Sequence, residues 1–275
     1  MAEQKRPSLA DQLEVLGTKI KKLEAECPVI LNKEKYTCLR VDGHCFHTFT
    51  RKFDKPCSSY IVEAMILSAE DWMKTFQGVL VYVQSDEATL LLPPAKPETD
   101  LPFRGRSKKI ETLSAGFFSA RFNYHLAHKT NTTAYFDCRA FQPTEEDIQD
   151  VFKWRMLDAY RNGVSSIARS VFSTKQLHKC GTGVQIRMLK EKNVDISKLP
   201  AHLLHGTWIK KCLVEKECAY HKTEELVKVI RCTTVRKTGF MEYALAPLPS
   251  LEWMVSQYDP NISHIIPKIE NIMTD

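Results

Sequence analysis

Hydrophobic positions in the first part of the chain follow two different spacings. Helical spacing recurs from a Ser8 cap to the Cys27–Pro28 junction and again over 58–76, which predicts two amphipathic helices. Short apolar runs instead predict buried strands, and these runs cover 36–42, 79–83 and 88–92. The last two runs are separated only by a polar turn at 84–87, so we expect them to pair as a hairpin.

The pattern continues through a proline-rich loop at 93–102 into a third helix, a fourth strand and a fourth helix. The third helix begins at a basic cluster and extends through Phe122, and a strand at 133–141 follows it. A capping-box-like start at 144–147 predicts the long fourth helix, which Gly163 should weaken or bend. The C-terminal third is predicted as an α/β extension, with helices at 173–179 and 184–192 and strands at 207–214 and 227–235.

The first half therefore has the element order β-α-β-β-α-β, which is that of a split βαβ or ferredoxin-like fold. We expect an α+β protein whose palm-like antiparallel sheet is packed against helices and followed by the C-terminal extension. Because the chain has no internal repeat or low-complexity region, residues 1–275 are predicted to form a single catalytic unit. Its palm-like core should span about 30–172 and the extension about 173–275.

Composition narrows the class of protein but not its function. Apolar residues make up 43% and charged residues 26% of the 275 positions, as in ordinary globular proteins. A formal net charge of +6 permits a nucleic-acid partner without requiring one. The nine cysteines include no C-x-x-C pair, which favours reduced thiols. No apolar run is long enough to cross a bilayer, so we expect a cytoplasmic protein without a membrane partner, and an organelle is left open.

Two acidic clusters follow the first two predicted strands, Val-Asp-Gly at 41–43 and Gln-Ser-Asp-Glu at 84–87. Carboxylates at the ends of buried strands are unfavourable unless a cation meets them. If both strands end at one sheet edge, Asp42 and Asp86 form an all-oxygen site of the kind Mg²⁺ prefers, completed by substrate phosphates. This arrangement predicts metal-assisted phosphoryl or nucleotidyl transfer, although either cluster alone is more typical of an ordinary polar turn.

Five sequence words resemble the tRNA(His) guanylyltransferase family in order and spacing, over about 32–215. They are Val-Asp-Gly-His-Cys-Phe-His-Thr-Phe-Thr at 41–50, Phe-Asp-Lys-Pro at 53–56, Gln-Ser-Asp-Glu at 84–87, Phe-Asp-Cys-Arg-Ala-Phe at 136–141 and Trp-Arg-Met-Leu-Asp-Ala at 154–159. The resemblance implies an enzyme, a nucleotidyltransferase with a palm-like core and two Mg²⁺ ions. Its implied partners are tRNA or a tRNA-like RNA, ATP, GTP and other nucleoside triphosphates, and its implied assembly is a homotetramer.

The resemblance also implies roles for individual residues. Asp42 and Asp86 would bridge both metals, the Gly43 carbonyl would complete one coordination sphere, and Glu87 would be a further catalytic carboxylate beside them. Backbone amides of 43–47 would hold a nucleoside triphosphate. The implied nucleotide-binding residues are Gly43, His44, Cys45, Phe46, His47, Lys55 and Ser85. The residues implied to contact RNA or triphosphate are Arg106, Lys109 and Asn162.

Departures from the family pattern favour one of its branches. The segment at 160–166 retains only Asn162 of the usual word, and 55–58 lack the usual aspartate. The segments at 172–178 and 188–192 look more like the Thg1-like branch, which resembles 3′–5′ RNA polymerases that repair 5′ ends. The resemblance thus implies template-dependent addition after ATP activates the 5′-phosphate. The alternatives are dedicated addition of one G to tRNA(His), a palm-type nucleotidyl cyclase or polymerase acting without RNA, and a non-catalytic RNA-binding relative.

Overall fold

The chain folds around one antiparallel sheet, in a computed structural model that describes residues 7–219, 226–238 and 248–259. In that part of the chain the strands are β1 (Thr37–Gly43), β2 (Leu80–Gln84), β3 (Glu87–Leu92), β4 (Phe136–Phe141), β5 (Thr207–Ala219) and β6 (Leu226–Thr238). The helices are α1 (Leu9–Ala25), α2 (Phe46–Phe49), α3 (Ser59–Phe76), α4 (Ser107–Leu126), α5 (Ile148–Val171), α6 (Thr182–Glu191), α7 (His202–His205) and α8 (Leu251–Val255). No helix in the described ranges is long and apolar enough to cross a membrane.

The order of strands in the sheet is β4-β1-β3-β2-β5-β6, and each neighbouring pair is antiparallel. Its first four strands have the ferredoxin-like arrangement, with β1 and β3 at the centre. The two C-terminal strands extend this sheet at its β2 edge and do not form a separate layer. Leu80 to Val83 of β2 pair with Lys210 to Thr207 of β5. The predicted α+β, palm-like fold is confirmed.

Alternate residues of β1 enter two different helical layers. Leu39 and Val41 pack in the core formed with α3 and α4, whereas Cys38 packs in the core formed with α1 and α5. Arg40 points to the same side as Cys38 and reaches Glu24 of α1. The central strand therefore carries a charged side chain into the layer formed with α1 and α5.

Several predicted boundaries are confirmed or corrected by local hydrogen bonds. Ser8 caps α1 as expected, in a capping box with Asp11. The fourth strand begins at Phe136 rather than at 133, because the backbone N–H and carbonyl of Ala134 bond to the Asn123 side chain of α4. The fourth helix begins only at Ile148, after a turn at 144–147.

The helix predicted at 173–179 is wrong, since these residues form successive turns. The side chain of Gln176 accepts hydrogen bonds from the backbone N–H and the hydroxyl of Ser173, a local pattern that competes with helix formation. The next predicted helix, at 184–192, is confirmed as α6.

Gly163, which is expected to weaken or bend the fourth helix, does not interrupt it. Helix α5 runs without interruption from Ile148 to Val171. A Cβ at Gly163 would lie 2.2 Å from the carbonyl oxygen of Leu203 in α7. The glycine therefore serves close packing between α5 and α7, a contact between segments far apart in the sequence.

Replacing this glycine tests the packing directly. Gly163→Ala should lower the free energy of unfolding by about 1–3 kcal/mol, because the added methyl group must displace the α7 backbone. Gly116→Ala is the matched control, since a Cβ at this α4 glycine meets no atom within 4 Å. The control should raise the free energy by about 0.5–1 kcal/mol through helix propensity. Urea denaturation of both variants measures the two values, and an equal gain in both would refute the close contact.

Candidate active site

The pairing of β1 with β3 brings the two predicted acidic clusters to one edge of the sheet. Asp42 lies opposite Glu87 in the register, and the Gly43 amide donates a hydrogen bond to the Asp86 carbonyl at 3.0 Å. Ser85 and Asp86 form the two-residue turn of the β2–β3 hairpin, and Ser85 adopts a φ of 48°. The juxtaposition of Asp42 and Asp86 expected from the sequence is therefore present.

Gly43 permits this close approach. A Cβ at this position would lie 2.5 Å from the Phe46 ring and 3.0 Å from the Cβ of Asp86. Phe46 itself is buried against the rings of Phe122 and Phe136 and cannot easily retreat. The glycine thus lets α2 and the hairpin turn both close on the end of β1.

The two aspartates carry negative charge that the protein does not fully compensate. Burial, together with the charges of Glu87 and Asp86, raises the pKa of Asp42 to about 6. Burial also raises the pKa of Asp86. Asp137 lies opposite Asp42 on β4 and adds a smaller repulsion. A pair of hard oxygen donors held in this state is suited to a divalent cation.

Glu87 has a different environment from the two aspartates. Its Oε2 accepts hydrogen bonds from Arg40 at 3.0 Å and from Arg155 at 2.7 Å, and all three side chains are less than 9% exposed. Burial opposes ionisation of Glu87, but the charges of Arg155 and Arg40 outweigh it and hold the pKa below its ordinary value. The predicted catalytic carboxylate therefore lies behind the open edge, as part of an internal ion pair.

These ion pairs extend in both directions from Glu87. Arg40 forms two hydrogen bonds of 2.9 Å with Glu24 of α1. Arg155 also lies 3.6 Å from Asp158, which in turn holds Arg161 and Asn162. We missed this chain of charges in the sequence, where its signals were an arginine inside an apolar strand and an Arg-x-x-Asp pair on one helix face.

An open groove of about 680 Å³ lies beside the carboxylate edge, between α5 and the segment from α2 to the start of α3. Six of the predicted site residues line it, namely Phe46, His47, Lys55, Ser85, Asp86 and Asn162. The sequence words at 41–50, 53–56 and 84–87 thus converge in space, although they come from different elements. The groove has the size expected of a small-ligand site.

Of the five backbone amides predicted to bind a triphosphate, two already donate hydrogen bonds within the fold. The amide of Gly43 bonds to the Asp86 carbonyl, and the amide of His44 bonds to the Tyr135 carbonyl at 2.8 Å. In the described part of the chain, the amides of Cys45, Phe46 and His47 have no such partner. Cys45 has a left-handed φ of 50°, which turns the chain at this point.

Arg106 and Lys109 do not reach this groove within one chain. They flank the start of α4, where the Ser107 amide bonds to Val29 and the Lys109 ammonium lies over the Phe103 ring. It is the other end of α4, at Phe122, that contacts Phe46 beside the carboxylates. Along the helix axis, Lys109 and Phe122 are separated by about 20 Å. The structure therefore does not bring these two cations to the Asp42–Asp86 edge of the same chain, and their predicted contact with RNA or triphosphate stays a prediction.

The donor set fits Mg²⁺ better than a metal held by protein side chains alone. No group of three or more His, Cys, Asp or Glu side chains converges on a metal position anywhere in the described residues. Asp42, Asp86 and the Gly43 carbonyl supply only oxygen, and Mg²⁺ is commonly bound by one or two carboxylates plus substrate phosphates. This edge therefore offers part of a coordination sphere and leaves the remainder to a ligand.

Removing the charge of Asp42 should stabilise the protein in the absence of metal. Because the folded-state pKa of about 6 exceeds the ordinary value of 3.8, ionised Asp42 disfavours folding above pH 6, and the penalty fades as pH falls towards 4. Asp42→Asn should therefore raise Tm at pH 7.5 by about 2–4 °C, the effect of roughly 1 kcal/mol in a chain of this size. Solvent screens the 41% exposed carboxylate, which limits the gain. Scanning fluorimetry in EDTA, at pH 7.5 and 4.5, measures the difference in Tm between the variant and wild type. A lower Tm at pH 7.5 would contradict this electrostatic account.

Removing the charge of Glu87 should lower the stability of the protein, although Glu87 faces Asp42 across the same strand pair. Glu87→Gln leaves Arg40 and Arg155 buried without their shared counter-charge, which should destabilise the fold by about 3 kcal/mol. The same thermal scans at pH 7.5 compare the two variants. Equal stability of Glu87→Gln and wild type would show that the buried ion pair contributes little.

Comparison with known proteins shows which proteins this chain resembles. Residues 17–144 match the family model described as tRNAHis guanylyltransferase. An uncharacterized protein of Acanthamoeba polyphaga mimivirus is 28% identical over 232 residues, which cover 74% of this chain and 80% of that protein. The probable tRNA(His) guanylyltransferase of Dictyostelium discoideum is 26% identical over 241 residues, or 79% and 93% of the two chains.

Solved structures give the same result. A bacterial tRNA(His) guanylyltransferase (Thg1)-like protein in complex with ATP aligns with a TM-score of 0.64 and 29% identity, covering 71% of this chain and 86% of that one. A bacterial Thg1-like protein in complex with GTP aligns with a TM-score of 0.59 and 25% identity, covering 79% and 90%. The resemblance expected from the five sequence words is therefore confirmed: the chain is a nucleotidyltransferase related to the tRNA(His) guanylyltransferases and Thg1-like proteins.

Proposed function

We propose that this nucleotidyltransferase adds nucleotides to the 5′ end of tRNA or a tRNA-like RNA, in the 3′–5′ direction and with the help of two Mg²⁺ ions. The observation that carries the proposal is the pair of aspartates, Asp42 and Asp86, at one sheet edge beside an open groove. Burial raises the pKa of both carboxyls, a cost that a bound cation would offset. The ATP and GTP complexes of similar proteins support nucleoside triphosphates as the ligands that complete the site.

The proposed chemistry has two displacement steps at phosphorus. The RNA 5′-phosphate attacks the α-phosphate of ATP, forming a 5′–5′ phosphoanhydride and releasing pyrophosphate. The 3′-hydroxyl of the incoming nucleotide then attacks the activated 5′-phosphate, loses its proton and expels AMP. An RNA that already carries a 5′-triphosphate needs no activation, since its own pyrophosphate can leave.

The protein's part in these steps is positioning and charge stabilisation. Asp42, Asp86 and the Gly43 carbonyl would hold Mg²⁺, which neutralises charge on the attacking and leaving oxygens when bound. The amides of 45–47 are placed to bind the triphosphate, together with the side chains of His44 and His47. Lys55, Ser85 and Asn162 face the same groove and would contact the nucleotide or the RNA 5′ end.

Glu87 has a supporting role in this scheme. The two arginines that hold it, Arg40 and Arg155, place positive charge behind the aspartates without blocking the groove. Arg40 also lies 3.9 Å from Asp42, which moderates the repulsion at the edge. We therefore propose that Glu87 positions these charges and does not itself contact the substrate.

Template-dependent repair of the 5′ end is the proposed form of the activity. The segments at 172–178 and 188–192, which look like the Thg1-like branch, support it. Two solved structures that the chain resembles are described as Thg1-like proteins. A homotetramer and a cytoplasmic location stay predictions.

A tRNA that lacks its first nucleotide tests the activity. With Mg²⁺, ATP and all four nucleoside triphosphates, the protein should extend the 5′ end until the acceptor stem is refilled and then stop. Gel electrophoresis of the labelled RNA resolves each added nucleotide. A single G added to intact tRNA(His) without a pairing base would instead support the dedicated guanylyltransferase. Absence of any product from either RNA would overturn the proposed function.

Substitution of Asp86 tests the carboxylate edge itself. Asp86→Asn should reduce the rate of nucleotide addition by about 10³-fold or more, a loss of roughly 4 kcal/mol of transition-state stabilisation. Asp100→Asn removes a carboxylate from the 93–102 loop at the other end of the sheet and should leave the rate unchanged. A folded Asp86→Asn protein with near wild-type activity would exclude the edge as the catalytic centre.

A further inference from the structure

One wall of the groove belongs to a single helix and is more basic than the proposed chemistry requires. Arg161, Ser165 and Arg169 recur every four residues along α5, so they lie on one helix face. Asn162, Ser166 and Ser170 form the adjoining row, and all six side chains line the groove. We refer to these six residues as the α5 wall.

The two arginines of the α5 wall differ in how their charges are met. Arg161 is paired with Asp158, which also contacts Arg155. Arg169 is exposed and has no ion-pair or hydrogen-bond partner in the ranges that the structure describes. Across the groove, the Lys55 ammonium donates a hydrogen bond to the backbone carbonyl of Thr50, at 3.2 Å. Among the described residues, neither of these two cations has a carboxylate partner.

The course of α5 places Arg169 at the outer part of the groove. Arg155 contacts Glu87 behind the sheet edge, Asn162 lines the groove beside Ser85, and Ser166 donates a hydrogen bond to the Pro56 carbonyl. Arg169 follows one turn later, about 10 Å along the helix axis from Asn162. An RNA strand whose 5′ end reaches Asp42 and Asp86 from solvent would therefore pass Arg169.

We propose that the α5 wall binds the ribose-phosphate backbone of the RNA substrate just behind its 5′ end, with Arg169 and Arg161 contacting phosphates. The identity of the bound RNA rests on the proposed function. The phosphate-binding chemistry of the α5 wall does not depend on it. A row of arginines with interspersed hydroxyl and amide groups is the usual composition of a phosphate-contacting surface. The nucleoside triphosphate has its own donors, the amides of 45–47, nearer to the aspartates.

The salt dependence of RNA binding by Arg169→Gln tests the wall. Fluorescence anisotropy with labelled tRNA lacking its first nucleotide should show about three- to tenfold weaker binding at 100 mM salt. The slope of log K against log salt should become shallower by roughly 1, the change expected on losing one phosphate contact. Lys153→Gln removes an exposed cation from the same helix outside the groove, and its binding and slope should match wild type.

A second measurement separates RNA from nucleotide binding. The thermal shift that ATP and Mg²⁺ produce should be the same in Arg169→Gln and wild type. Unchanged RNA affinity and slope, or a lost ATP shift with intact RNA binding, would overturn the proposal. Because binding is measured without turnover, a wild-type protein that adds no nucleotide but binds RNA through Arg169 would sink the proposed function and leave the α5 wall supported.

Discussion

The candidate site depends on a buried carboxylate that two arginines share. Pairing of β1 with β3 brings Asp42, Asp86 and Glu87 together at one edge of the sheet. Three carboxylates so close repel one another. Arg40 and Arg155 neutralise Glu87 completely enough to lower its pKa in spite of its burial. The two aspartates are left with raised pKa values at the open end, where a cation and phosphates can reach them. The internal ion pair thus confines the unmet charge to the side chains that face the groove.

Helix α5 connects this electrostatic centre with the rest of the site. Arg155 contacts Glu87 behind the edge, and successive turns of the same helix bring Asn162 and Arg169 into the groove. Gly163 lets α7 pack closely against this helix, which continues without interruption through that position. Any movement of α5 would therefore change the charges behind the aspartates and the shape of the groove together.

The fold was largely predictable because its signals are local. Hydrophobic patterning located the four core strands and the four long helices, and the Ser8 cap set the first boundary to the residue. The same reasoning failed where distant segments decide the conformation. The role of Gly163 depends on the Leu203 carbonyl, and the late start of β4 depends on the Asn123 side chain. Neither partner is visible in the sequence around the position it controls.

The site residues were likewise predictable only in part. Asp42, Asp86, Lys55 and Asn162 could be assigned because sequence words carry them, and the structure brings them to one groove or its edge. Arg106 and Lys109 were grouped with them by resemblance alone, and the length of α4 separates them from it. Arg40 and Arg155 were missed because a buried arginine has no meaning until its counter-charge is known, and Glu87 becomes their neighbour only in the folded sheet.

The central claim is that the Asp42–Asp86 edge binds divalent cations together with a nucleoside triphosphate. Mn²⁺ binding, followed by electron paramagnetic resonance in the presence of a non-hydrolysable ATP analogue, measures this directly. The account predicts two Mn²⁺ ions per chain in the wild-type complex and loss of both in Asp86→Asn at the same nucleotide concentration. Unchanged Mn²⁺ binding by the variant would place the metals elsewhere and contradict the account.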